Sequence, residues 1–127
     1  MSPIRLSRLE SSLRVVLEFN EAFNRHDIKG MMRLMSDDCL LESSAPPPSG
    51  AVHSGMEAIK YFWEKFFHTV PEAHIEIEDA FGFGERCVTR WKMTWADEQG
   101  RKKHVRGADI FRVRNELILE KLSYVKG

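Results

Sequence analysis

Asp109 has the setting in this chain that most needs a reason. It lies in a strand-like stretch, Val105-Arg106-Gly107-Ala108-Asp109-Ile110-Phe111-Arg112-Val113. Strand side chains alternate between faces, so Val105, Gly107, Asp109, Phe111 and Val113 share one side that is otherwise apolar or bare. A carboxyl buried there without a partner would cost roughly several kcal/mol or keep its proton, and active sites exploit that response. The chemistry on offer is general acid/base catalysis. The plainer reading is a carboxyl bonded to a nearby backbone amide or arginine.

Other residues could line a pocket around it. Thr89, Trp91 and Trp95 share one parity of the preceding strand-like segment, where the indoles would stack on a flat, largely apolar ligand and donate one N–H each. Phe111 belongs to the Asp109 face itself. Phe19, Phe62, Trp63 and Phe66 could close the far wall, or simply be core. Glu42 and Ser43 stand on opposite faces of one short strand, so only one can point inward, and Ser43 is kept as a ligand-binding candidate. Tyr124 and Glu120 have the parity of Ile118 and Leu122; which parity of that last strand faces inward is open, and Tyr124 is a candidate pocket hydroxyl. His53 reads as a surface histidine near the cavity mouth. Arg101-Lys102-Lys103-His104 surrounds a hairpin tip, which solvation alone explains.

The bulk numbers narrow the classes. With 127 residues, one domain over 1–127 is the economical reading, able to hide roughly two-thirds of the surface of its unfolded chain. Nineteen Lys and Arg balance nineteen Asp and Glu, which argues against a dedicated nucleic-acid or anionic-membrane binder and leaves little resistance to self-association. Met1-Ser2-Pro3-Ile4-Arg5 lacks the basic start and apolar run of a secretion signal, and no apolar run approaches the roughly 20 residues of a bilayer span. A cytoplasmic protein is expected. Cys39 and Cys87 lie in apolar segments and read as buried reduced thiols. His26, His53, His68, His74 and His104 are scattered without ligand spacing, so no metal site is expected.

The elements that must position these residues follow from periodicity. Leu9, Leu13, Val16, Leu17, Phe19, Ala22 and Phe23 recur at helical spacing and predict an amphipathic helix from about Ser7 to Arg25. Asp27 should cap a short second helix, Ile28 to Met35, which Asp37-Asp38 stops. Cys39-Leu40-Leu41, continuing into Glu42-Ser43-Ser44, reads as a strand, broken at Pro46 to Gly50 before a short return around Ala51 to His53. Ser54 and Glu57 have capping-box spacing, predicting a third helix to about His68 with an aromatic stripe of Phe62, Trp63, Phe66 and Phe67. Period two then takes over: Ile75 and Ile77, Cys87 to Trp95, the Asp109 strand, and Leu117 to Val125, with turns at Glu98-Gln99-Gly100 and Asn115-Glu116.

Three helices followed by a strand-rich half predict an α+β fold in which a curved, mixed, mostly antiparallel sheet covers its apolar face with the helices. Such a cone with an open mouth suits a small molecule. The order of elements, with Phe23-Asn24-Arg25-His26-Asp27-Ile28-Lys29-Gly30, Asp37-Asp38-Cys39-Leu40-Leu41-Glu42, His53-Ser54-Gly55-Met56-Glu57-Ala58-Ile59 and Gly107-Ala108-Asp109-Ile110-Phe111-Arg112, resembles the nuclear transport factor 2-like superfamily. That superfamily includes the ketosteroid isomerases and the SnoaL-like polyketide cyclases, and shares a cone-shaped, cystatin-like α+β barrel.

The resemblance implies more than the fold. Similarity to the steroid isomerases would place their tyrosine at Phe19, their base aspartate at Ser43 and their hydrogen-bonding acid at Asp109, and only the last is present. A true ketosteroid isomerase is therefore not expected. Similarity to the SnoaL-like cyclases makes Asp109 the acid/base of a cofactor-free isomerase, cyclase or dehydratase. The expected partner is a small hydrophobic, cyclic or aromatic ligand, with Phe19, Ser43, Trp63, Trp91, Trp95, Phe111 and Tyr124 around it. The resemblance also implies a homodimer through the alternate sheet face, where Val88, Ala108 and Ile110 mix with Arg86, Arg90, Arg106 and Arg112. The competing class is a non-catalytic ligand-binding or protein-association module of the same fold.

Overall fold

A computed structural model describes the backbone of residues 3–126 and the side chains of residues 11–126. The chain runs α1 (Pro3–Asn24), α2 (Ile28–Arg33), β1 (Met35–Ser43), β2 (Ala51–Ser54), α3 (Met56–Thr69), β3 (His74–Phe83), β4 (Arg86–Ala96), β5 (Lys102–Arg114) and β6 (Leu117–Val125). Met1, Ser2 and the Leu9 side chain, included in the expectations above, lie outside the described residues. No described helix is long and apolar enough to cross a membrane.

The strands form one open sheet in the order β2-β1-β6-β5-β4-β3. Only the β1–β6 pair is parallel, because the chain returns to β6 after the whole β3–β5 meander. Apolar residues at helical spacing on α1 (Val15, Val16, Phe19, Phe23) and the α3 pair Ile59 and Trp63 are buried with Leu41, Cys87, Phe111 and Ile118 of the sheet. Of the aromatic stripe of α3, Trp63 is core, packed edge-on against Phe19 and Phe23, while Phe62, Phe66 and Phe67 are partly buried against that core. At the end of α1 the Asn24 amide donates to the Ile75 carbonyl (2.9 Å) and accepts from the Ile75 N–H (2.7 Å), which ties the helix to the start of β3.

Two local expectations are corrected. Asp37-Asp38 does not stop α2; the helix ends at Arg33, and both aspartates lie exposed within β1, which starts at Met35. The Ile118 N–H bonds the Leu34 carbonyl at the junction. The Ser54–Glu57 capping box does not form either. Ser54 is held in the β1–β2 ladder opposite Leu40, and Gly55, at φ 85°, turns the chain into α3 with no side-chain cap. Asp27, in contrast, caps α2 as expected, accepting from the Gly30 N–H at 3.0 Å.

Register matters for the site. Pairing between β4 and β5 is unbroken, so Thr89 faces Asp109 and Trp91 faces Gly107. Between β5 and β6 the register shifts: Val113 pairs with Ile118 but Arg112 with Glu120, leaving Leu119 as the extra residue of a bulge. Consequently Ile118 and Lys121, of opposite parity, both face the helices.

Candidate functional site

Between the helices and the concave sheet face lies a cavity of about 220 Å³. Its sheet side includes Thr89, Trp91, Asp109, Phe111, Lys121 and Ser123, and its helical side Phe19, Phe62, Trp63 and Phe66. The period-two pattern of β5 delivers Asp109 and Phe111 to it, and the parity of β1 delivers Leu41 and Ser43 while Glu42 turns away.

Asp109 is 4% exposed. Its partner is neither a backbone amide nor an arginine but a lysine: Oδ2 lies 3.3 Å from Lys121 Nζ, and Lys121 is itself only 8% exposed. Lys121 Nζ also donates to Ser123 Oγ at 2.9 Å, and stands 5.5 Å from the Trp63 ring centroid and 6.0 Å from that of Phe111. An ammonium near aromatic faces gains cation–π attraction on top of the ion pair. Asp109 Oδ1, buried, has no hydrogen-bond partner among the described residues; nor have Trp63 Nε1 and Trp91 Nε1. The cavity thus holds one unmatched acceptor, two unmatched donors and a buried cation in an aromatic setting. A buried polar atom without a partner costs about 1–3 kcal/mol, and a ligand that matched it would relieve that cost.

Of the residues singled out in the sequence, Asp109, Phe19, Ser43, Trp63, Trp91 and Phe111 all line this cavity. The Ser43 hydroxyl is engaged locally, donating to the Ala45 carbonyl at 2.7 Å. Trp95 and Tyr124 do not line it. Trp95 has the right parity, but it stands beyond Met93 on β4, opposite Lys103, past the end of the cavity. Tyr124 is 53% exposed on the opposite sheet face, paired with Ala108. His53 packs against Phe62, ring centroids 4.8 Å apart, outside the lining. The residues that sequence reasoning missed are Lys121 and Ser123. Parity gave no signal for them, because apolar residues stand on both parities of β6, Leu117, Leu119 and Val125 on theirs and Ile118 and Leu122 on the other.

Residues 16–121 match the family model described as SnoaL-like domain. Among solved structures, a nuclear transport factor 2-like protein of unknown function from Mesorhizobium loti is 32% identical, with 94% of each chain covered and a TM-score of 0.77. A protein with a ketosteroid isomerase-like fold from Catenulispora acidiphila, in complex with trimethylamine, is 19% identical over 87% of this chain and 83% of its own, at a TM-score of 0.78. A Mycobacterium tuberculosis protein in complex with estradiol-17β-hemisuccinate is 21% identical over 90% of this chain and 92% of its own, at a TM-score of 0.77. The cone-shaped α+β fold is common to this chain and these structures. No curated protein matches the chain.

Proposed function

Because the chain belongs to the SnoaL-like domain family, we propose that it binds a small, largely apolar, cyclic or aromatic molecule in the cavity and moves a proton on it without a cofactor. Asp109 takes or gives that proton. The observation that carries the reading is Asp109 Oδ1, buried beside an aromatic cavity with no partner among the described residues. Two of the similar structures hold small molecules, an amine in one and a steroid ester in the other, which supports ligand binding as the use of the fold. At about 220 Å³ the cavity is smaller than the roughly 300–1,000 Å³ usual for ligand sites, so the ligand is compact. With Phe19 and Ser43 in place of a phenol and a second carboxylate, steroid isomerisation is not the reaction.

The test is extraction of protein purified from cells, identification of the co-purified small molecule by mass spectrometry, and assay of its conversion. The wild type should convert it and Asp109→Asn, with folding checked by circular dichroism, should not. Equal conversion by the two proteins would remove Asp109 from the chemistry. The second reading, a non-catalytic binding module of the same fold, is favoured by the missing phenol at Phe19; binding without conversion by the wild type would establish it.

The same reading includes one domain over the whole chain and a homodimer through the outer sheet face. Phe81, Val88, Ile110 and Leu122 stand in one cross-strand row there, an apolar stripe suited to a second copy. Arg86 and Arg106 on that face pair within the chain, with Glu120 and Glu78. Light scattering after size exclusion at micromolar concentration should give a dimer mass, and a clean monomer would remove this part of the proposal.

A further inference from the structure

The lysine in the cavity asks for a role of its own. Lys121 is the only amine among the described cavity-lining residues, and it projects from β6, a strand paired on both sides, so its backbone is fixed. Because Asp109 itself lines the cavity, the lysine that balances it is held at the ligand space too. Its Nζ stands between a carboxylate at 3.3 Å, a hydroxyl at 2.9 Å and two aromatic rings. Each of these contacts stabilises a positive charge at nitrogen, and a protonated imine there would keep that charge beside the carboxylate and the rings, with its single N–H left to serve Asp109.

We propose that Lys121 is a carbonyl-capturing residue, forming a protonated imine with an aldehyde or ketone ligand. The proposal rests on the reading that the cavity takes a small molecule, and it names that molecule's reactive group. Asp109 removes one proton from the ammonium, and the freed lone pair on Nζ attacks the carbonyl carbon, forming the N–C bond. The carbonyl oxygen takes a proton from that nitrogen, with Ser123 Oγ placed to pass it, to give the neutral carbinolamine. Asp109 then returns its proton to the new hydroxyl, the C–O bond breaks and water leaves. Ammonium and carbonyl have become iminium and water, Asp109 is a carboxylate again, and neither an oxidant nor a reductant is consumed. The positive charge begins and ends on Nζ, so the Asp109 carboxylate and the two rings face the same charge before and after. An iminium also acidifies the adjacent C–H bonds, which supplies Asp109 with a proton worth taking.

The experiment uses the full chain, benzaldehyde as a compact probe, and sodium cyanoborohydride to trap any imine as a benzylamine. Peptide mass spectrometry should find one benzyl group on Lys121, gained about tenfold faster or more than on the exposed Lys60 and Lys65, a small part of the advantage that fixed geometry can confer. Asp109→Asn should slow labelling of Lys121 while leaving Lys60 and Lys65 unchanged. Lys121→Arg, which keeps the charge and has no amine, should lose the fast site. If benzaldehyde quenches tryptophan fluorescence but Lys121 is labelled no faster than Lys60, the imine is wrong and ligand binding survives. If the probe neither quenches nor labels, both this inference and the ligand-binding reading are overturned.

Discussion

Lys121 does not stand opposite Asp109. On β6 the cross-strand partner of Asp109 is Ser123, and Lys121, opposite Phe111, reaches Asp109 diagonally to place Nζ 3.3 Å from Oδ2. Diagonal neighbours on one sheet face are within reach of long side chains. Because both groups are buried, removing either leaves the other charge without compensation, which costs about 3–5 kcal/mol, whereas replacing both by apolar residues is often neutral. Lys121→Met alone should therefore lower the urea unfolding free energy by about that amount, and Asp109→Leu/Lys121→Met should recover most of it. Equal loss in the single and double variants would mean that the pair is not coupled. Asp109→Asn should on this ground lose stability too.

Trp91 lies across Gly107. A Cβ added at Gly107 would approach Trp91 Cζ2 to 2.6 Å and the Tyr124 carbonyl oxygen to 2.5 Å, distances that demand movement. Gly107→Ala should destabilise by about 1–3 kcal/mol, as overpacking does, and shift tryptophan emission as the indole is displaced. A thermal melt followed by fluorescence checks both, and an unchanged spectrum would contradict the geometry.

Cys39 and Cys87 are buried free thiols. Burial pushes the Cys87 thiol up from its ordinary 9.0 to about 11, and raises Cys39 in the same direction. Below pH 9.0 the thiol keeps its proton in both the folded and unfolded states; above it the unfolded chain ionises first. The contribution is therefore complete at neutral pH and is lost as pH rises from about 9 toward 11. Urea unfolding across that window should show a steeper decline for the wild type than for Cys87→Ala. Parallel declines would place the thiol in contact with water.

Asp27 caps α2 through the Gly30 N–H, and a Cβ added at Gly30 would meet the Asp27 carboxylate, which would have to shift. Asp27→Ala should cost about 0.5–2 kcal/mol in urea unfolding and Asp27→Ser much less. Equal effects would show that the hydrogen bond is not what the carboxylate supplies.

Much of the fold is legible in the pattern of apolar residues. The face of α1 from Leu13 to Phe23, the stripe of α3 and the alternation of β4 and β5 are dictated by burial on one side, and burial is what the structure shows there. Element ends were less legible: Ser54 has the residue type of a helix cap but is spent on strand pairing, and Asp37 and Asp38 resemble a helix stop because strands rarely carry two adjacent acids. Asp109 could be read because β5 keeps its period without interruption against β4. Lys121 could not, for two physical reasons. A lysine is ordinarily solvated, so nothing in its type suggests burial. The bulge at Leu119 also breaks the alternation, so the inward setting of Ile118 says nothing direct about residue 121.

That one inserted residue decides the sign of the charge beside Asp109. Were β6 paired without it, an inward Ile118 would carry Glu120 inward as well, and two carboxylates would confront each other across the hollow where an attractive couple now stands. The glutamate points outward instead, bonded to Arg86 at 2.9 Å. Electrostatic polarity in this interior is thus a property of backbone phase, and an alteration of strand phase could reverse it with every amino acid retained.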